Sequence, residues 1–340
     1  MLRSPRISTL AGAVVLAAAA SACGLGQAAE PDAPERASTT VPGWSLQPGA
    51  SVGGINASEQ EQLFTVTAVA EDPQGNFYVA NFGDKRILVF DAEGTWLRTI
   101  GRAGQGPGEF TAPRAVAAVG ADGLFVLDLS AARLSRFRRS DGAYLGSASI
   151  PSKAGLPVDM KVTPEGGVAV EFRPRTQTGI NAPAYIAPVD TLTGAVDAAR
   201  AVRLDTVSRF QLKEKKDGRT TVRTMDVPFS PKPVWALERG GAVLFGTGAQ
   251  FVVSRAQGAA RTEAFRGEGE PMPTTRADRQ RYFSEPARAA LRDNKDFVFP
   301  ETKPFYTDLK VDSDGRLWLN VPAPHAGERW QVRDASGRVL

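Results

Sequence analysis

Residues 68–110, AVAEDPQGNFYVANFGDKRILVFDAEGTWLRTIGRAGQGPGEF, hold four short apolar runs parted by turn residues and end in a glycine-rich connector. The runs 68–70, 77–80, 87–90 and 96–100 are each about one strand long, and DPQGN, NFGDK, DAEG and GRAGQGPG supply the turns. The pattern predicts one four-stranded antiparallel sheet, the size of a propeller blade. Such a sheet cannot bury both its faces alone, so the reading requires copies of it along the chain.

Copies follow. A second unit starts at Pro113 with an apolar run, Asp122-Gly123, LFVLD, RLSRF, Asp141-Gly142 and YLGSASI. The two Asp-Gly pairs predict hairpin turns with positive φ at both central residues. The third unit, 157–204, contains PVDMKVTPEGGVAVEF, and the fifth, 305–340, contains YTDLKVDSDGRLWLNV. In these two, Asp159-Met160-Lys161-Val162 and Asp308-Leu309-Lys310-Val311 stand at the same distance before Gly166 and Gly315, which is internal repetition and not shared composition. The fourth unit spans 234–265. Before it, 210–227 reads as two alternating arms around Asp217-Gly218, an inserted hairpin. After it, Thr275 to Asp278 has the form of a capping box and opens a helical insertion over 275–294, interrupted by Pro286. The expected fold class is all-β: a β-propeller of four-stranded antiparallel blades over 44–340, with five blades legible, one inserted hairpin and one short helical insertion.

At 340 residues, 42% hydrophobic and 23% charged, the chain is long enough for a large core, and its formal net charge of +4 supports no nucleic-acid partner. Its single histidine, His325, and single cysteine, Cys23, exclude a Cys/His zinc cluster and an internal disulfide framework. Residues 1–22 have a basic start with Arg3 and Arg6, an apolar run too short for a membrane span, and a small-residue end: an export signal. Residues 23–43, rich in Ala, Pro, Glu and Thr with almost no large apolar side chain, read as a disordered tether.

Two resemblances add to this. Ala20-Ser21-Ala22-Cys23-Gly24 resembles the lipobox of bacterial lipoproteins, in which the cysteine becomes the lipidated first residue; it departs from that pattern at Ala20, where leucine is usual, so plain cleavage after Ala22 stays an alternative. GNFYVANFGDKRILVFDAEG is similar to the NHL repeat, and with GRAGQGPGEF and Pro113 it resembles the bacterial six-bladed β-propellers of the NHL and TolB-like group. The resemblance implies a six-bladed fold and an exported location, anchored in the cell envelope through a lipid on Cys23. Only five units are legible before Leu340, so the expectation is a truncated member, or a sixth blade built from the region 44–67.

The residues ending the second strand of each unit are Asn81, Asp128, Glu171, Gly246 and Asn320. If they gather at a channel mouth, their carboxylates and amides suit calcium, and the resemblance then implies a calcium-dependent hydrolase or lactonase. Alternatively Asp and Asn recur there because each repeat needs a turn cap. Arg114, Asp159, Trp235 and Asp308, at the starts of first strands, complete the candidate ligand-binding set. GRAGQGPGEF has Gly-x-x-Gly-x-Gly spacing but follows a strand without opening a helix, which fits a crossing between blades and not a phosphate cradle. No nucleophile motif is found, and no second histidine accompanies His325. The expected function is an exported, lipid-anchored binding or scaffold module for a protein, peptide or glycan of the envelope. The inserted hairpin and helix are the contact surfaces if it is a scaffold.

Overall fold

The computed structural model describes residues 49–53, 57–174, 183–205, 209–216, 219–285, 288, 291–292, 297–323, 329–334 and 336–340. The expected signal over 1–22, the expected tether over 23–43, Cys23 and His325 lie outside these. The described chain falls into two compact units, one within Met1–Ala148 and the other Ser149–Val339.

The first unit carries two four-stranded antiparallel sheets in simple sequential order. Strands β1 (Val66–Glu71), β2 (Phe77–Asn81), β3 (Arg86–Phe90) and β4 (Trp96–Ile100) make the first blade; β5 (Pro113–Val119), β6 (Gly123–Asp128), β7 (Arg133–Arg138) and β8 (Tyr144–Ser149) make the second. Strand alternation divides the apolar side chains between two faces. Tyr78, Ala80, Ile87 and Val89 point into a core shared with Val116, Leu124, Val126 and Phe137 of the second blade. Val79, Leu88 and Phe90 point the other way, onto Val52 and Leu63 of the segment preceding β1. Burying each such aliphatic side chain is worth about 1.5–3 kcal/mol, so the need for a covered second face drives the repetition.

The glycine-rich stretch joins the two blades, as its context predicts. A Cβ on Gly101, at φ +73°, would run into the ring of the fully buried Phe110, and one on Gly104 would run into the carboxylate of Glu109. That carboxylate accepts from Arg102 Nε at 2.8 Å and from the Gly106 N–H at 2.9 Å.

The second unit holds three more blades. They are β9 (Leu156–Val162), β10 (Val168–Arg173), β11 (Tyr185–Val189) and β12 (Val202–Arg203); then β15 (Val234–Leu237), β16 (Val243–Gly246), β17 (Val252–Gln257) and β18 (Ala260–Arg266); and last β19 (Asp308–Val311), β20 (Leu317–Val321) and β21 (Arg329–Arg333). An isolated antiparallel bridge from Arg333 to Val339 begins the outer edge of the fifth blade. In the fourth blade Trp235, Val243 and Phe245 face the third, while Ala236, Leu244 and Val253 face the fifth.

Between the third and fourth blades, β13 (Arg209–Lys216) and β14 (Arg219–Asp226) form the hairpin. Helix α1 (Arg276–Ser284) opens on the expected capping box, with Thr275 Oγ1 accepting from the Asp278 N–H and the Asp278 carboxylate accepting from the Thr275 N–H. It ends at Ser284, and Glu285, which precedes Pro286, is extended at φ −73° and ψ 123°, the conformation that a following proline imposes; Arg288 is helical again, and residues 286–287, 289–290 and 293–296 lie outside the described residues. The two insertions meet. Phe210 of the hairpin packs on Phe297 at 5.0 Å between ring centroids, Phe297 stacks on Tyr282 of α1 at 5.8 Å, and Phe229 packs on both Tyr282 and Phe299. Among the described residues no helix is long and apolar enough to cross a membrane.

One turn recurs throughout. Asp72, Asp91, Asp312 and Asp334 each accept, through Oδ1, the N–H groups two and four residues ahead, and Gly75, Gly94, Gly315 and Gly337 follow at positive φ. Burial works to raise the carboxyls of Asp72 and Asp312, but the side-chain donors, Asn76 on the first and Trp318 and Arg316 on the second, together with these N–H groups outweigh it and hold both below the ordinary carboxylate range. The expectation at Asp122-Gly123 and Asp141-Gly142 is corrected: neither aspartate has positive φ, and the left-handed residues are Gly120 and Gly142. Both carboxylates instead accept nearby N–H groups, Asp122 from Ser140 and Asp141 from Ala143.

Candidate functional site

The position ending the second strand of a blade is mostly a structural staple. Asn81, fully buried, accepts the Phe64 N–H at 2.7 Å and donates to the Gln62 carbonyl at 2.9 Å, which ties the entering chain to the first blade. Asp128, also fully buried, accepts from the Thr111 N–H at 2.7 Å, Thr111 Oγ1 at 2.8 Å, the Ala112 N–H at 3.1 Å and the Ala131 N–H at 3.0 Å. Asn320 accepts from Thr307 through both its backbone oxygen, at 2.8 Å, and its side chain, at 3.3 Å. In the fourth blade the position is Gly246 because the space is taken: a Cβ there would meet the hydroxyl of Tyr306, a fully buried ring whose O–H donates to the Val252 carbonyl at 2.6 Å.

Glu171 is used differently. It is 4% exposed, and its carboxylate accepts from Arg173 Nε at 2.9 Å and from the Trp235 indole N–H, 64 residues along the chain, at 3.1 Å. It therefore links the third blade to the fourth. Across the ladder Glu171 is paired with Asp159, and strand alternation puts Lys161 on the same face two residues on. Lys161 Nζ lies 3.1 Å from Asp159 Oδ2 and 4.8 Å above the Trp235 ring. Burial works against the charge on Lys161, but Asp159, Asp308 and Glu171 together hold its pKa above the ordinary lysine value.

The fifth blade repeats the arrangement. Asp308 Oδ1 accepts the Leu309 N–H at 2.8 Å, as Asp159 Oδ1 accepts that of Met160 at 2.8 Å. Lys310 lies 3.9 Å from Asp308 and 4.7 Å over the Trp330 ring. Partial burial raises the Asp308 carboxyl above its usual range, against the pull of Lys310 and Lys161 and with the help of Asp159. The side chains of the two pairs stay between 35% and 49% exposed.

Of the residues singled out from sequence, the second unit thus brings Asp159, Glu171, Trp235 and Asp308 into one electrostatic neighbourhood, with Asn320 paired to Asp308 across its ladder. Asn81, Asp128 and Arg114 belong to the first unit, where Arg114 sits at the β-bulge between Pro113 and Ala115. Sequence reasoning missed Lys161, Lys310, Arg173 and Trp330. The Asp-x-Lys spacing of both first strands was the signal for the two lysines. A calcium site does not fit this donor set: the oxygens of Asn81 and Asp128 are engaged by their own loops, and two ammonium groups stand among the carboxylates of the second unit. Among the described residues no three His, Cys, Asp or Glu side chains are grouped to hold a metal ion.

Solved structures of similar form include a candidate exported protein of Bacteroides fragilis, at 13% identity over 85% of this chain and 74% of that one with a TM-score of 0.46. Another is the hydrazine synthase of Kuenenia stuttgartiensis, at 11% identity over 81% and 84% with a TM-score of 0.45. A third is the calcium-binding protein regucalcin of Agrobacterium tumefaciens, at 12% over 83% and 75% with a TM-score of 0.44. At such identities and scores none of these carries an argument about what this chain does. No curated protein matches the sequence. Residues 61–165 match a protein family described as a 6-bladed beta-propeller. By that match and by its own sheets, the chain is an all-β propeller of antiparallel blades, five of them found among the described residues.

Proposed function

We propose that this chain is an exported propeller of the NHL kind, tethered through a lipid on Cys23, that binds a mixed-charge segment of another envelope protein. One observation carries the binding reading: the paired Asp159–Lys161 and Asp308–Lys310 side chains, repeated in two blades, half-exposed and of both signs. Such a surface matches a peptide segment carrying its own carboxylates and amines. It suits a glycan less, because sugar stacking needs an open aromatic face, whereas Trp235 is 3% exposed and Lys161 covers its ring. The hydrolase alternative has no comparable support: among the described residues no three His, Cys, Asp or Glu side chains are grouped to hold a metal ion, and the carboxylates of the second unit stand among two ammonium groups. The tether rests on sequence: a basic start, a short apolar run, and Cys23 at the one place where a lipid would be attached.

The test is an array of short peptides of varied charge, probed with the mature protein and with the quadruple variant D159N/K161M/D308N/K310M. Mixed-charge peptides bind the first and not the second if the reading holds; equal binding by both, or selection of neutral sugars over every peptide, overturns it. The mass of the mature N-terminus decides the tether, because an unmodified start downstream of Cys23 is incompatible with it.

A further inference from the structure

The two insertions carry all of the chain's net positive charge. The hairpin segment 209–226 has six basic and three acidic residues and the segment 275–303 has seven and five, whereas the rest of the chain has 28 and 29. The contacts of Phe297 with Phe210 and with Tyr282 bring these two basic segments side by side in the second unit.

The rings that join them form a layer and not a sealed core. Phe297 and Phe299 pack at 4.9 Å between centroids, and both meet Phe283 of α1 edge-on, at 5.9 and 5.5 Å. Phe210 is buried, but Tyr282, Phe283, Phe297 and Phe299 keep part of their surface in solvent. Val298, between the last two, is 70% exposed, more than any other large apolar side chain among the described residues.

Cations lie over this layer. In α1, Arg276, Arg279 and Phe283 are spaced i, i+3 and i+7, which puts them on one stripe of the helix. The Arg279 guanidinium lies 5.6 Å from the centre of the Phe299 ring, and that of Arg292 lies 5.5 Å from the centre of the Phe283 ring. The described acids of this stretch are matched to other cations, Asp278 to Lys303 at 2.8 Å and Glu285 to Arg288 at 3.0 Å. Arg276, Arg279 and Arg292 are exposed, and among the described residues no carboxylate pairs with any of them.

We propose that this face docks on an anionic lipid surface, with Arg276, Arg279 and Arg292 among the headgroup phosphates and the aromatic layer at the headgroup boundary. Charge complementarity calls for an anionic partner. The half-exposed rings and Val298 favour a bilayer over an acidic peptide: a peptide carboxylate would satisfy the arginines alone, whereas the membrane interface also takes up amphipathic and apolar side chains. The contact uses neither a lipid on Cys23 nor the Asp-x-Lys surface, so it stands or falls apart from them.

The experiment is co-sedimentation of the full mature chain carrying Cys23→Ser, so that no attached lipid contributes, with vesicles of phosphatidylcholine alone or with roughly one third phosphatidylglycerol. The protein sediments with the anionic vesicles and not with the neutral ones, and is released at roughly 0.5 M salt, where the screening length is a few Å. Arg276→Gln, Arg279→Gln and Arg292→Gln each weaken the binding by about fivefold, while Arg281→Gln, the same charge change turned away from the stripe, alters it by less than about twofold. All four side chains are exposed, so the fold survives these changes. No sedimentation with the anionic vesicles at low salt overturns the proposal. So does binding that Arg279→Gln and Arg292→Gln leave unchanged, or an equal loss in Arg281→Gln, which would mean diffuse charge and not this face. Soluble poly-glutamate bound as tightly as the vesicles overturns it in favour of an acidic protein partner.

Discussion

Asp128 and Glu171 end the second strands of successive blades, yet one faces inward to its own blade and the other outward to the next. Asp128 spends its lone pairs on four donors of its own entry loop and β6–β7 turn. Glu171 accepts from Arg173 beside it and from Trp235 of the following blade. The same repeat position can therefore close a blade or bind two blades together. Where it does the second, the Asp159–Lys161 pair next to it stays half-exposed.

The comparison breaks most visibly at Asp128. Asp128→Ala removes a fully buried carboxylate and leaves three backbone N–H groups and a hydroxyl without their acceptor, and the expected loss is about 2–4 kcal/mol, read by urea unfolding. A loss under about 1 kcal/mol would mean that the staple is ornamental. Glu171→Gln is milder, at about 1–2 kcal/mol by the same measurement, because the amide oxygen still accepts from Trp235 and Arg173, 30% exposed, can turn to water. If Glu171→Gln cost as much as Asp128→Ala, the distinction between the two roles would fail.

Asp308 carries the smallest effect, and with the opposite sign. Its carboxyl is raised in the folded state, so the folded chain holds that proton more tightly than the unfolded one. The stabilisation is fully present below the unfolded value of 3.8 and lost as pH rises through the folded one. Asp308→Asn removes the desolvated charge, so at neutral pH it melts no lower than the parent, and its relative advantage shrinks as pH falls toward 3.8. Asp72 and Asp312 run the other way: their stabilisation is present above 3.8 and is lost as pH falls through their lowered folded values. Melting curves of the parent and Asp308→Asn between neutral and acid pH check both signs.

Much of this was legible in the sequence because it is local. The turn at Asp72 needs only the donors two and four residues ahead and a glycine at positive φ, so the strands, the blades and the capping box at Thr275 could be read directly. What could not be read depends on contacts between distant segments. Nothing near Glu171 announces Trp235, and nothing near Gly246 announces that Tyr306 fills its place. The hairpin and the helix read as separate insertions because Phe210 and Phe297, which join them, lie in different segments.

Trp235 has a practical consequence of its own. Its indole is sealed from solvent, its N–H fixed to a carboxylate and its ring capped by an ammonium group, so charge is applied to the chromophore from two sides. A ligand that draws Lys161 away would alter that field without touching the ring, and the emission wavelength would move. Comparing the parent with Trp235→Phe would assign such a shift to this ring and so test the proposed binding without a label.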